Sequence, residues 1–130
     1  MAHLTDYFEA ETLDWQWTAS SVTRPSAWWL ALHAGSSAPT DAVPATGELS
    51  GSGYTRESAT FTRSAQTVNL ASDVTFGPAT GSWGTVKWFS IWDNSSAGNC
   101  LAWNALSSNR SVGSGDSAKF TTSNLTITLD

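Results

Sequence analysis

The sequence predicts an all-β protein, an antiparallel β-sandwich of jelly-roll-like type with a short N-terminal helix. Two observations carry this prediction. About eight short runs of strand-forming residues follow residue 26, separated by Gly, Pro, Asn and Asp clusters, as in sandwiches and barrels. The one segment with helical spacing precedes them. The 130 residues predict a single domain, with a helix or arm over 1–20 and the sandwich over 21–130.

The helix is predicted over residues 4–17. Thr5 or Asp6 is suited to cap it, and Asp6 and Glu9 have the spacing of a capping box. At helical spacing one side is apolar and the other acidic. The apolar side holds Leu4, Tyr7, Phe8 and Trp15, and the side expected to face water holds Glu9, Glu11 and Asp14. We expect this segment to be a lid over one end of the domain or, alternatively, an arm that docks on a neighbouring chain.

The strands are predicted from short apolar or aromatic runs that end at turn residues. They cover 27–34, 54–62, 67–70, 74–76, 85–92, 99–106, 110–112, 118–121 and 125–129. The stretch 35–53 has no apolar period and several Gly and Pro residues, so we expect a long surface loop. Long ordered loops in compact domains are often binding loops.

Two predicted strands, 27–34 and 85–92, are apolar on both faces. Side chains alternate along a strand, and an antiparallel sheet with one wet face has polar residues on that face. In 85–92 one face holds Val86, Trp88, Ser90 and Trp92, and the other holds Lys87, Phe89 and Ile91. Both strands therefore need cover on both sides. In one interpretation the N-terminal helix and the long loop supply it, in the other a second subunit does, and the two are compatible.

Composition limits the class of partner. The net charge is −5, with 6 Lys and Arg against 11 Asp and Glu, which disfavours nucleic acid and anionic membranes. Charged residues make up 13%, about half the usual share, while Trp numbers 8. No apolar run reaches the roughly 18 residues of a membrane span, and the acidic N-terminus is unlike a signal peptide, so we expect folding in a reducing cytoplasm. Few charges and many indoles predict oligomers or a large partner.

The sequence indicates no enzyme, metal site or cofactor. His33 lies among apolar residues and is expected to be a packed core residue, and Cys100 a small buried hydrophobe. The carboxylates are scattered along the chain, and no glycine-rich phosphate loop with its lysine is present.

Two functions fit these residues. One is a structural assembly protein with indoles as interface anchors. The other is a carbohydrate-binding sandwich, in which Trp28, Trp83 and Trp103 are candidates to stack on sugar rings. Sugar-stacking tryptophans must be accessible in the isolated protein, whereas assembly tryptophans become buried on oligomerisation.

The order of loops and strands resembles a group of small tailed-bacteriophage virion proteins. The resemblance covers nearly the whole chain but includes no catalytic signature. It is carried by WLALHA at 29–34, PTD at 39–41, ELSGSGYTR at 48–56, SDVTF at 72–76, ATGSWGTV at 79–86, GN at 98–99 and VGSGDSAKF at 112–120.

Members of this group are often labelled tail fibre proteins, and their size and predicted sandwich also resemble trimeric head decoration (cement) proteins. The resemblance implies a non-enzymatic virion protein made in the host cytoplasm. We expect decoration of the outer capsid surface as a homotrimer bound to the major capsid protein. The alternatives are a tail or fibre-base component and a glycan-binding module. Interface candidates are Trp15, Trp17, Trp83, Trp88, Trp92, Arg56, Arg63 and Arg110.

Overall fold

A computed structural model describes residues 3–128. The protein is mostly β with a single helix among these residues, which confirms the predicted fold class. Residues 1 and 2 of the predicted arm, residue 129 of the predicted last strand and residue 130 lie outside the described part. The elements are β1 (His3–Leu4), α1 (Asp6–Trp17), β2 (Trp28–Ala34), β3 (Glu57–Ala59), β4 (Phe61–Ser64), β5 (Thr67–Leu70), β6 (Val74–Phe76), β7 (Gly84–Trp92), β8 (Cys100–Val112), β9 (Ala118–Phe120) and β10 (Thr126–Thr128).

The strands form three antiparallel sheets. The largest has the order β1-β8-β7-β2-β3, the second β10-β5-β4, and the third consists of β6 and β9. The main hydrophobic core contains residues from all three sheets. Its fully buried side chains include Leu30, Leu32 and Ile91 from the large sheet, Phe76 from the smallest, and Leu125 beside β10.

Three strand pairings are nested in sequence. β7 pairs with β8, β6 with β9 and β5 with β10, all antiparallel. Residues 67–92 and 100–128 therefore run as the two sides of one long ribbon, which turns at 93–99 and folds across the sheets. This is the kind of path that the jelly-roll-like prediction requires.

Two strand predictions differ from the structure. The predicted strand 54–62 is two short strands, because the chain leaves the large sheet after β3 and enters the second sheet at β4. The predicted strands 99–106 and 110–112 are one strand, β8. Its register against β7 shifts between Val86 and Trp88, since Val86 pairs with Arg110 and Trp88 with Ala105. The extra residues of β8 bulge out of the strand pairing. Because these residues are polar, the sequence pattern predicted a break between two strands.

The helix begins at Asp6, two residues later than predicted, because Leu4 pairs with β8 in β1, and the predicted cap at Thr5 is present. Thr5 is the N-cap, and its Oγ1 accepts a hydrogen bond from the Phe8 amide at 3.3 Å. Thr5 is also tied to β8, since its own amide donates to the Leu101 carbonyl at 3.1 Å. Leu4 and Phe8 pack against the core, but Trp15 does not join them.

Candidate interaction surfaces

The loop 35–53 contacts the outer face of the large sheet. On this face Trp29, Ala31 and Trp92 cluster with Cys100, apart from the main core. The loop continues the sheet edge locally, because the Leu49 amide donates to the Leu32 carbonyl at 3.0 Å. At its far side Asp41 Oδ1 accepts a hydrogen bond from Trp103 Nε1 at 2.7 Å. Part of the second apolar face is thus covered within the same chain, by the loop and by Arg56 over Trp92.

His33 is fully buried under this loop and its ring is completely hydrogen-bonded. Nδ1 lies 2.9 Å from the Thr46 carbonyl, which can only accept, so Nδ1 carries the proton. Nε2 then accepts from Ser90 Oγ at 2.6 Å, and Ser90 Oγ accepts from Trp92 Nε1 at 2.7 Å. Burial lowers the pKa of His33. The arrangement holds a neutral histidine as a link between loop and sheet.

Arg56 holds the same loop near its C-terminal end, through Glu48. Its Nε and Nη2 donate to the two carboxylate oxygens of Glu48 at 2.6 and 2.7 Å. Its Nη1 donates to the carbonyls of Asn94 and Ala97 at 3.0 and 2.8 Å. The side chain is buried and stacks over Trp92. All these donors are satisfied inside the chain, which disfavours the predicted role of Arg56 at an interface.

The tryptophans predicted at an interface divide into three groups. Trp83 and Trp92 are buried, with Trp83 Nε1 donating to the Ser52 carbonyl at 2.9 Å. Trp88 is half-buried on the outer face, under the Lys87 ammonium 5.6 Å from its ring. Trp15 and Trp17 are 71% and 78% exposed. Of the five, the helix pair is the most available to a partner.

The sugar-stacking candidates are less accessible than a glycan platform requires. Trp83 belongs to the core. Trp103 is half-buried and stacks on His3 with ring centroids 4.5 Å apart. Trp28 is half-buried, with its ring edge-on to Phe61 at 6.4 Å.

The second half of α1 exposes a cluster of large apolar side chains. Leu13 is 59% exposed, so three such residues, with Trp15 and Trp17, lie within five positions. No residue of α1 is fully buried. Leu13 and Trp17 are four residues apart and share one face of the helix, whereas Trp15 lies on the opposite face. Large apolar side chains are therefore exposed on two sides of the helix end.

An apolar cavity of about 550 Å³ opens at the end of the sandwich where α1 begins. Its walls come from the five-stranded sheet, from the three-stranded sheet and from the N-terminal segment that includes the first turn of the helix. They include Leu4, Phe8, Trp28, Phe61, Val68 and Ile127. Arg24 and Arg63 also line it, and both are exposed. No local pattern in the sequence predicts this cavity, because its walls are far apart along the chain.

A second cavity, of about 860 Å³, lies beside the bulge in β8. It is polar, with serine hydroxyls and the side chains of Arg110 and Lys119 in its wall. Lys119 is paired with Asp73 at 2.7 Å. Of the predicted arginines, Arg110 thus lines this cavity, whereas Arg63 lies at the apolar one and donates to its neighbour, the Ala65 carbonyl, at 2.7 Å.

The single cysteine is enclosed. Cys100 is buried, and burial raises the pKa of its thiol to about 12. Among residues 3–128, no three His, Cys, Asp or Glu side chains come together as a metal site. No helix in the described part is long and apolar enough to cross a membrane.

The sequence was also compared with known protein families and with curated proteins. No curated protein matches the sequence. A family described as "Podophage GP4 fiber I protein gp80" matches residues 3–128, which is almost the entire chain. The predicted resemblance to small tailed-phage virion proteins is confirmed. The chain belongs to the podophage GP4 fiber I protein gp80 family and is a phage structural protein.

Proposed function

We propose that this chain is a non-enzymatic component of a fibre on the podophage virion. The observation that carries the proposal is the family match over residues 3–128, whose description names a fibre protein. This favours the fibre alternative of the sequence analysis over head decoration.

The structure of the site supports a mechanical role. Ser90, His33 and Cys100, the groups best suited to nucleophilic or base chemistry, are buried and used in packing or hydrogen bonds. The loop that covers the outer face is held by the Arg56–Glu48 pair and by His33. A tightly fastened sandwich suits a protein that transmits load or presents a surface.

Head decoration is the competing assignment. A decoration protein stabilises a shell by binding the assembled capsid and not its free subunits. An exposed apolar helix serves a capsid contact as well as a fibre contact, so location on the particle separates the two. Glycan binding has weaker support, because Trp28 and Trp103 are half-buried and Trp83 is buried.

The test is immunogold labelling of intact virions that contain this chain, viewed by negative stain. The antibody is raised against the folded protein and checked on it under native conditions, with pre-immune serum as the control. We expect gold on fibres. Gold spread over the heads would replace the proposal with decoration, and particles without gold would remove an exposed virion role.

A further inference from the structure

We propose that the apolar cavity at the end of the sandwich binds a free amphipathic anion, a monocarboxylate with an unbranched apolar tail. The tail lies in the cavity, and the carboxylate meets the two arginines that line it. The proposal is independent of the fibre assignment, because it concerns the cavity alone.

The cavity reaches the main hydrophobic core. Its lining includes Ile91, Leu101 and Ala102, which are buried members of that core. Its volume of about 550 Å³ lies within the usual range of ligand pockets, roughly 300–1,000 Å³. An apolar guest removes from water the half-buried apolar side chains of the lining, and this burial is favourable. These side chains are Leu4, Phe8, Trp28, Phe61, Val68 and Ile127.

The charge at the cavity is opposite to that of the chain. The chain has a net charge of −5, with 6 Lys and Arg against 11 Asp and Glu. Two of these cations, Arg24 and Arg63, line the cavity, whereas no carboxylate of residues 3–128 does. Both arginines are exposed, and within the described part neither belongs to an ion pair. Because a guanidinium pairs with a carboxylate through two parallel hydrogen bonds, the cavity favours an anionic ligand.

Both arginines lie beside the apolar wall. The guanidinium carbon of Arg24 is 5.8 Å from the centre of the Trp28 ring. Arg63 Nη1 donates to the Ala65 carbonyl at 2.7 Å. Trp28 and Ala65 themselves line the cavity. A ligand therefore needs an apolar part and an anionic end to contact the wall and the cations together.

An acyl chain suits this cavity better than a peptide segment does. The polar side chains of the lining are all exposed, whereas its buried side chains are all apolar. Peptide N–H and C=O groups that enter such a space without hydrogen-bond partners cost free energy, and an acyl chain has no such groups. The exposed polar residues of the lining are Arg24, Thr62, Arg63 and Gln66.

The ligand is a free molecule and not a lipid within a bilayer. The helix α1, whose first turn lines the cavity, has four acidic residues and no basic one. Together with the net charge of −5, these carboxylates repel an anionic bilayer. A single amphiphile brings one negative charge directly to the two arginines. The acidic residues of α1 are Asp6, Glu9, Glu11 and Asp14.

The first experiment is isothermal titration calorimetry of the native chain with unbranched carboxylates from hexanoate to tetradecanoate, below their micelle-forming concentrations. We expect the affinity to rise about fourfold for each added methylene and to stop rising once the cavity is full. Adsorption to exposed apolar surface has no such limit, so the plateau identifies the cavity. Decyltrimethylammonium, with a similar tail and the opposite charge, should bind at least about tenfold more weakly than decanoate.

Arginine variants test the contact with the carboxylate. The double variant Arg24→Gln, Arg63→Gln should bind decanoate about tenfold more weakly and bind decanol as the wild type does. The matched control is Arg110→Gln, an exposed arginine at the polar cavity, which should bind both ligands unchanged. Circular dichroism checks that each variant is folded.

Two further variants test where the tail lies. Val68→Phe places a ring in the cavity, so the affinity should reach its plateau at shorter acids, while Val43→Phe, in the exposed loop, should leave the plateau in place. Brominated decanoate quenches the fluorescence of indoles that it contacts. We expect Trp28→Phe to remove most of this quenching and Trp17→Phe, at a side chain 78% exposed on the helix, to retain it.

Vesicle sedimentation separates the free amphiphile from a bilayer lipid, and we expect the chain to stay in solution with phosphatidylglycerol vesicles. Three results would overturn the inference. Absence of saturable binding across the acid series excludes the site. An affinity that rises without a plateau, or that is unchanged in the double arginine variant, excludes this placement of tail and carboxylate. Sedimentation with the vesicles that depends on Arg24 and Arg63 assigns the cavity to a bilayer lipid.

Discussion

The guanidinium carbon of Arg56 lies 3.9 Å from the centre of the Trp92 ring. The same group holds both carboxylate oxygens of Glu48 and two carbonyls of the 93–99 turn. One cation thus joins the outer face of the sheet, the long loop and the hairpin that closes the ribbon. The guanidinium is planar and forked, so it can pair with both carboxylate oxygens and stack on a ring at the same time. A lysine ammonium is neither planar nor forked.

We expect Arg56→Lys to lose most of this network. Losing one partner of a buried pair costs about 3–5 kcal/mol, and the lysine variant should fall near the lower end of that range because it keeps the charge. Urea unfolding measures the change. The matched control Arg63→Lys, at an exposed site, should change the unfolding free energy by less than about 0.5 kcal/mol. Equal effects of the two variants would show that the network contributes little.

Trp83 and Trp15 are expected to differ sharply as alanine variants. Trp83 is 6% exposed and packs edge-on against Tyr54, with ring centroids 5.6 Å apart. Trp83→Ala should destabilise the fold by about 3–5 kcal/mol, whereas Trp15→Ala should cost less than about 0.5 kcal/mol in the monomer. Thermal and urea unfolding at low concentration check this. A large loss for Trp15→Ala under those conditions would contradict the exposed position of the helix end.

We expect the protein to lose stability in mild acid because of His33. Burial lowers its pKa below the ordinary value of 6.5, so the unfolded chain binds the proton more readily. The stabilisation is present above pH 6.5 and declines as the pH falls through that value towards the folded pKa. Because one proton is involved, the slope is at most about 1.4 kcal/mol per pH unit. Glu48 favours the protonated ring and Arg56 opposes it, and neither outweighs burial.

The measurement is urea unfolding at pH 7.5 and pH 5.5. His33→Gln is the comparison, since it removes the titration while keeping polar atoms. The wild type should lose more stability than the variant between these two pH values. The same pH dependence in both proteins would place the titration elsewhere.

Cys100 should react very slowly in the folded protein. The reactive species is the thiolate, and burial raises the pKa of this thiol to about 12. A colourimetric disulfide reagent should modify it only in step with unfolding, while a Gln16→Cys chain should show one fast-reacting thiol. Fast modification of the wild-type chain would mean that the outer face opens without unfolding.

Alanine substitutions at Gly47 and Gly51 distinguish the cost of backbone strain from the cost of a steric clash. Their φ angles are +70° and +71°, so alanine is strained to a similar extent at both, by about 1–2 kcal/mol. At Gly51 an added Cβ meets open space, whereas at Gly47 it collides with the Ala34 carbonyl. We expect Gly47→Ala to cost about 2 kcal/mol more than Gly51→Ala by urea unfolding. Equal costs would show that the loop relaxes away from β2.

Local patterns in the sequence were sufficient for the class of fold, the Thr5 cap and most strands, because periodicity and turn residues act within a few positions. They were insufficient where contacts between distant segments determine the structure. The break between β3 and β4, and the continuity of β8 through its bulge, follow from which sheet each segment joins. Arg56 was predicted at an interface, whereas it pairs with Glu48, eight residues away on the other side of a glycine-rich turn.

The sequence by itself determined an antiparallel β protein with one capped helix, two doubly apolar strands and an excess of indoles over charges. Only the tertiary structure decided how those indoles are used. Trp83 and Trp92 are enclosed by other segments of the chain, whereas Trp15 and Trp17 remain exposed on the helix. The reason is physical: hydrophobicity determines that a side chain favours burial, but only the packing of distant segments determines whether its own chain can bury it.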